Sequence, residues 1–173
     1  EIPVIAKIEK HEALDYIDSI LEAIDGVMVA RGDLGLEVAP ERIPGIQKMI
    51  IRKANSLGKP VITATQMLRS MLQNPRPTRA EVADIANAVL DGTDALMLSE
   101  ESAVGSYPVE AVKTMAQVAV ETERTLEPRY QMEGIKKSVP EAISHAAISL
   151  ARDLQVKAFL IPTTSGRTAR RSG

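Results

Sequence analysis

Cysteine and tryptophan are absent from these 173 residues, and the remaining aromatics are three Tyr and one Phe. Without thiols there is no disulfide, no zinc-thiolate centre and no cysteine nucleophile, so a metal would have to be held by oxygen or by the two histidines. Scarce aromatics leave no base-stacking platform. A net charge of −2, with acidic and basic residues interspersed, leaves no basic surface to track phosphates, so no nucleic-acid partner is expected. No apolar run approaches the roughly 20 residues of a membrane helix. Residues 1–30 also lack a basic start followed by an unbroken apolar stretch. No membrane association is expected, and the default location is the cytoplasm. What remains is ordinary: 45% apolar and 25% charged residues, enough for a real core. The chain opens at Glu1 rather than Met and stops at Gly173 just after a helix should begin, so it reads as an excerpt.

Short β-branched runs recur at Val4 to Ile8, Gly26 to Ala30, Pro60 to Ala64, Ala95 to Leu98 and Ala158 to Pro162, and these are predicted strands. Between them apolar residues return at helical spacing: Leu14, Ile17, Leu21 and Ile24; Ile46, Met49, Ile50 and Leu57; Val82, Ile85, Ala86 and Val89; Val112, Met115, Ala116 and Ala119. Pro44 and Pro108 suit first helical turns, Gly58 and Gly92 suit helix ends, and Thr78-Arg-Ala-Glu81 is a capping box. The result is a repeated βα rhythm. Glu127 to Ser138 breaks it with Pro128, Gly134 and scattered charge, and Ser138-Val-Pro-Glu141 reads as a second capping box. The expected organisation is a first domain over residues 1–126, a linker over 127–138 and the start of a second α/β domain over 139–173.

Periodicity cannot separate an open doubly wound sheet from part of a barrel, since both use right-handed βα crossovers. The polar residues say more. Lys7 and Glu9 end the first strand, Arg31 and Asp33 the second, Thr65 and Gln66 the third, Ser99 and Glu100 the fourth. In a (β/α)₈ barrel all strand C-termini open on one face, so these residues would converge there.

Lys7 and Glu9 are two apart in an extended segment and point the same way, and Asp33 lies one strand over. Two carboxylates with room for water suit Mg²⁺, which prefers oxygen ligands. A lysine beside them can stabilise charge on a phosphoryl group or an enolate. From spacing alone the pair is weak evidence of function, since most Lys-x-Glu pairs on strands sit on solvated faces. Arg31-Gly-Asp-Leu-Gly35 follows an apolar strand, and its glycines allow a ligand close to the backbone. A tight βα turn capped by Asp33 fits the same residues. Thr65 is either a strand-end hydroxyl facing substrate or a local cap. His11 and His145 read as structural, and the methionines as core.

Five segments resemble successive signatures of the pyruvate kinase family, in that family's order. They are Val4-Ile-Ala-Lys-Ile-Glu9, Gly26-Val-Met-Val-Ala-Arg-Gly-Asp-Leu-Gly-Leu-Glu37, Lys59-Pro-Val-Ile-Thr-Ala-Thr-Gln-Met-Leu68, Arg76-Pro-Thr-Arg-Ala-Glu81 and Asn87-Ala-Val-Leu-Asp-Gly-Thr-Asp94. The resemblance implies an α/β fold, the second half of a (β/α)₈ TIM barrel followed by the beginning of an α/β C-terminal domain. It implies Mg²⁺-dependent phosphoryl transfer from phosphoenolpyruvate to ADP, giving pyruvate and ATP in glycolysis. Lys7 matches the lysine that stabilises the transferring phosphoryl group and the enolate, and Glu9 and Asp33 match the metal carboxylates. The backbone of Gly32 and Asp33 matches the cradle for the substrate carboxylate, and Thr65 the hydroxyl beside the carbon that is protonated. Thr163, Thr164, Ser165, Gly166 and Thr168 resemble a loop that binds an effector phosphate in some members; an ordinary helix-capping loop fits them as well. A homotetramer is implied, and K⁺ too, with its ligands outside these residues. Lys10, Arg69 and the segment Leu98-Ser-Glu-Glu-Ser-Ala103 depart from common family residues without replacing a matched ligand.

Two other readings stand beside this one. Another barrel enzyme acting on an enolpyruvate, such as a metal-dependent aldolase or a phosphoenolpyruvate mutase, accounts for Lys7, Glu9 and Asp33 but not for Arg76 to Glu81. A catalytically silent half-barrel serving as a structural piece is the third, and it describes the isolated chain.

Overall fold

In the computed structural model, which describes residues 2–126, 139–158, 160–164 and 166, the first four apolar runs pair side by side. The strands are β1 (Ile5–Ile8), β2 (Gly26–Ala30), β3 (Val61–Ala64) and β4 (Ala95–Met97), all parallel, in spatial order β1-β2-β3-β4. Each crossover therefore advances one strand in the same direction. That is the winding of a barrel, whereas a doubly wound sheet reverses at a switch point. Between the strands lie α1 (Glu12–Asp15), α2 (Ile17–Ala23), α3 (Arg31–Glu37), α4 (Ile43–Ser56) and α5 (Arg79–Asp91); α6 (Glu100–Ala103) and α7 (Pro108–Thr125) follow β4. Contacts divide the chain into two units, Glu1–Arg129 and Tyr130–Gly173, and the second contains α8 (Val139–Asp153).

Alternation along the strands decides which face is covered. Ile8, Val27, Val29 and Val61 are buried in one cluster with Ile17 and Leu21 of α2 and Ile46, Ile50 and Ile51 of α4. Burying one such side chain contributes about 2 kcal/mol, so the helix-covered face holds the sheet together. The register places Lys7 beside Met28, and Met28 beside Ile62, on the opposite and less buried face. In a closed barrel that face is the interior. A second cluster joins Met67, Leu68 and Met71 to Ile85 and Ala88 of α5 and Ala111 and Met115 of α7, so these methionines are core, as expected.

Local chemistry sets the ends of the helices. Pro44 and Pro108 occupy first turns of α4 and α7. Gly92 ends α5 with φ +95, and a Cβ there would lie 2.8 Å from the Asn55 amide nitrogen, which donates to the Gly92 carbonyl. Thr78 and Glu81 form the predicted capping box at the start of α5.

Three expectations are corrected. The helical pattern from Leu14 to Ile24 is two helices, because Tyr16 at φ −112°, ψ 15° leaves the helical region and its carbonyl takes the Ser19 hydroxyl. Residues 31–35 are no loop: α3 begins at Arg31, directly after β2 ends at Ala30. The strand expected over 158–162 is not formed by its described residues; a strand exists by pairing, and no strand is found in the second unit among the described residues. The expected linker 127–138, Ser138 of the second capping box, Phe159, Ser165 and Thr168 lie outside the described residues, as do the side chains of Glu141 and His145.

Glu81 also reaches beyond its own helix. Its carboxylate accepts from the Ser70 N–H at 2.7 Å, the Ser70 hydroxyl at 2.5 Å and the Thr78 N–H at 2.8 Å. Partial burial pushes its carboxyl up, but the hydrogen bonds from Ser70 and Thr78 outweigh that and hold it below the ordinary value. A depressed folded pKa gives stability that is present above the unfolded value and lost as pH falls through the folded one. Glu81→Gln should therefore lower the melting temperature at neutral pH, and the gap from the parent should close below pH 4.5, the ordinary glutamate value. Thr78→Ala should cost about 1 kcal/mol, with a smaller pH-dependent part than Glu81→Gln, because it removes only the Thr78 hydroxyl among the donors to that carboxylate. Thermal unfolding of both variants from pH 7 to pH 3 checks this, and a Glu81→Gln gap that does not narrow would refute it.

Candidate functional site

At the C-terminal end of β1, Lys7 projects from the open face and Glu9 follows the last strand residue. The Lys7 ammonium lies 2.5 Å from Glu9 Oε2 and 2.8 Å from Asp33 Oδ2, with all three side chains half-exposed. The predicted convergence of one cation and two carboxylates is thus formed, and Asp33 reaches it from the first turn of α3. Hydrogen bonds to Asp33, then to Glu9, hold Lys7 far above the usual lysine range, so it is a fixed positive charge. The same bond to Lys7 holds Asp33 below the usual carboxylate range. Each carboxylate meets Lys7 through one oxygen and has a second to offer. This all-oxygen donor set fits a hard divalent cation.

One residue away, the Gly32 N–H donates to Thr65 Oγ1 at 2.7 Å, and that hydroxyl donates to the Ala64 carbonyl at 2.7 Å. A Cβ on Gly32 would sit 3.1 Å from Thr65 Oγ1, so glycine is what lets α3 approach the end of β3. Gly35 has open space around it, and the close approach argued from sequence applies to Gly32 alone. Thr65 and Gln66 have φ of 70° and 56°. Left-handed backbone at a non-glycine residue costs about 1–3 kcal/mol, and most at a β-branched one. The turn carrying the Thr65 hydroxyl is therefore strained.

Other strand-end residues do not join the site. Arg31 turns inward from α3 and is 8% exposed. Its Nη1 donates to Asp84 of α5 at 2.7 Å and to Gln47 of α4 at 3.3 Å; its Nη2 donates to the Thr65 carbonyl at 2.8 Å and contacts Met67 Sδ at 3.2 Å. Sequence reasoning put Arg31 at the barrel mouth, yet the signal was there: with α3 starting at residue 31, Arg31 and Leu34 lie three apart on one inward face. Ser99 offers its N–H to the buried Glu101 carboxylate at 2.8 Å, and Glu101 also accepts the Leu68 N–H at 3.1 Å. Exposed Glu100 has no contact with Lys7, Glu9 or Asp33 among the described ion pairs.

Beside the site, His11, Glu12 and Glu37 form a cluster with metal-ligating atoms within 4.8 Å of one another. Glu37 is already engaged there, by Lys10 at 2.5 Å and by His11 at 3.2 Å, and the Lys10 bond foremost holds its carboxyl low. In the second unit the Gly166 N–H donates to Thr163 Oγ1 at 3.1 Å, a local turn, with Thr164 between them.

The pyruvate kinase barrel-domain family matches residues 1–112. The chain belongs to the pyruvate kinase family. Pyruvate kinase from Geobacillus stearothermophilus is 56% identical over 171 residues, 96% of this chain and 29% of that protein. Pyruvate kinase from Clostridium acetobutylicum is 54% identical over 173 residues, 98% of this chain and 37% of that one. A crystal structure of a pyruvate kinase from Cryptosporidium parvum superposes with a TM-score of 0.87 at 44% identity, over 99% of this chain and 36% of the other. The chain thus spans about a third of the length of the pyruvate kinases it matches. The parallel half-barrel is that family's fold.

The charge state of Lys7 is directly testable. An amine held so far up in its titration is a poor nucleophile despite half its side chain being exposed. In competitive labelling with an acylating reagent at pH 8 to 9, Lys7 should react more slowly than the other exposed lysines. Asp33→Asn, which removes the larger cause, should speed Lys7 labelling; equal rates in both proteins would refute it.

Proposed function

We propose that this chain supplies the metal- and phosphoenolpyruvate-binding half of a pyruvate kinase that transfers the phosphoryl group of phosphoenolpyruvate to ADP, the ATP-forming step of glycolysis in the cytoplasm. The observation that carries this reading is the Lys7 ammonium held between the Glu9 and Asp33 carboxylates. Phosphoryl transfer has little covalent chemistry for a protein to perform, so positioning and electrostatics dominate, and this cluster provides both. Glu9 and Asp33 would hold Mg²⁺, which when bound supplies positive charge beside the phosphoryl and enolate oxygens. The Lys7 ammonium stabilises negative charge on the group in transfer and on the enolate left behind. Gly32 and Asp33 offer backbone N–H groups to the substrate carboxylate, and Thr65 holds its hydroxyl near the carbon that takes a proton to complete pyruvate.

The Gly32–Thr65 hydrogen bond adds a coupling to this reading. Gly32 can give its N–H to a carboxylate only by withdrawing it from Thr65 Oγ1, which frees that hydroxyl's acceptor position. The domain assignment follows the same reading: residues 1–126 as the second half of the barrel, 127–138 as a linker and 139–173 as the start of the C-terminal domain. The nucleotide and K⁺ contacts and the homotetramer would draw on residues beyond these. The hydroxyls of Thr163 and Thr164, with Gly166, are the described part of the proposed effector-phosphate loop.

The test is a chimera in which this chain replaces the matching segment of the Geobacillus stearothermophilus relative. The chimera should form pyruvate from phosphoenolpyruvate and ADP. Lys7→Met should lower kcat by orders of magnitude while leaving the Mg²⁺ requirement nearly intact. Glu9→Gln and Asp33→Asn should each raise the Mg²⁺ concentration needed for half-maximal rate. Near-normal turnover in Lys7→Met, or unchanged metal dependence in both carboxylate variants, would end the assignment.

A second reading, that the isolated chain is silent, is favoured by the sheet itself. β1 and β4 are both edges, and Ile5 is 52% exposed. Four strands cannot close a barrel, and unpaired edges beside apolar residues invite association. The isolated chain should self-associate and show weak Mg²⁺ binding without turnover. A monomer by solution mass with substantial activity would refute that.

A further inference from the structure

We propose that Arg31 is a positioning residue for the proposed reaction, a buried clamp that holds the Thr65-Gln66 turn in its left-handed conformation and so fixes the Thr65 hydroxyl against the Gly32 N–H. The inference rests on the reading of Thr65 given above and adds the group that keeps Thr65 in place.

A threonine at φ 70° followed by a glutamine at φ 56° does not hold itself there; something in the surroundings must over-determine it. Among the described hydrogen bonds, Arg31 supplies the charged group on this turn. Its Nη2 donates to the Thr65 carbonyl at 2.8 Å and lies 3.2 Å from Met67 Sδ, so it grips the turn on both sides of Gln66. Its Nη1 is anchored at 2.7 Å on Asp84 and at 3.3 Å on Gln47, which ties the turn to α5 and α4. A planar guanidinium reaches all four partners at once; an ammonium cannot. Arg31 and Gly32 are neighbours on α3, so the clamp and the N–H that meets Thr65 Oγ1 move as one body.

If Arg31 served only as a core ion pair for Asp84, relieving the backbone cost elsewhere in the turn would not repair its loss. Gln66→Gly separates the two cases, because glycine adopts positive φ without penalty and leaves the Thr65 hydroxyl in place. In the chimera, Arg31→Lys should lower kcat about tenfold or more, since small misplacements of a reacting group cost that much or more. The Mg²⁺ concentration for half-maximal rate should stay within about twofold, the metal carboxylates being untouched. Deuterium uptake into the methyl group of pyruvate, which reads the proton step alone, should fall with kcat. Adding Gln66→Gly to Arg31→Lys should recover several-fold of both. If Arg31→Lys does not fold, Arg31→Gln with Asp84→Asn, which removes both charges of the pair together, carries the same expectations.

A crystal structure of the variant decides the clamp independently of activity. Thr65 at positive φ, with Oγ1 still on the Gly32 N–H, would overturn the proposal, and so would a kcat loss that Gln66→Gly leaves unrepaired. Thr65→Val in the same chimera tests the underlying reading: normal deuterium uptake there would refute the role of Thr65, while the crystal structure would still judge Arg31.

Discussion

The junction between Ala30 and Arg31, where β2 becomes α3 with no intervening loop, is the constraint on which the candidate site depends. A helix that starts directly after the last strand residue has its first turn oriented by the strand. Arg31 is thereby directed inward, toward Gln47 and Asp84, while Asp33, two positions on, points out toward Lys7. Between them Gly32 presents a bare backbone to Thr65. A single inserted loop residue would rotate this set by about 100°, the angle per residue of a 3.6-residue helix. The inward and outward roles would then be exchanged among the wrong side chains.

The first four strands were legible because each is a short β-branched run bounded by turn residues, and because parallel strands buried by helices carry strong apolar signals. Their order was not, since an open sheet and a barrel share the same periodicity, and it came from the family resemblance alone. The helix starts at Pro44, Thr78 and Pro108 were legible for a local reason: capping and proline preferences act within one turn. The convergence of Lys7, Glu9 and Asp33 followed from period-two alternation and the adjacency of neighbouring strands. What was hidden depends on contacts distant in sequence. Arg31–Asp84 spans 53 positions, and the left-handed turn at Thr65 is held from residue 31. Neither threonine nor glutamine announces positive φ. The break at Tyr16 was masked by an apolar pattern that runs unbroken across it, and the strand expected over 158–162 failed because propensity supplies no pairing partner.

Electrostatics ties these pieces together. Lys7, Glu9 and Asp33 sum to one negative charge, in a cluster still open to water. Lysine keeps the two carboxylates from repelling each other apart, so the oxygen pair is pre-assembled before any cation arrives. The proposed Mg²⁺ would reverse the sign of the cluster, making it attractive to the dianionic phosphate of an enolpyruvate. A site built the other way, with the lysine remote, would have to bring two like charges together as the metal bound.

Strain and charge are also kept on separate supports. The charged set hangs from β1 and the outer side of α3, and the strained Thr65 turn hangs from Arg31 on the inner side, with Gly32 in contact with that turn between them. A substrate carboxylate that took the Gly32 N–H would thus act on both at once. It would lie one residue from Asp33, and it would remove the hydrogen bond that Thr65 Oγ1 accepts, leaving the Arg31 bond to the Thr65 carbonyl as the main restraint on that turn. Occupancy would then free the hydroxyl without releasing the backbone, a division of labour that requires the restraint on the carbonyl and the contact on the hydroxyl to come from adjacent residues of one short helix.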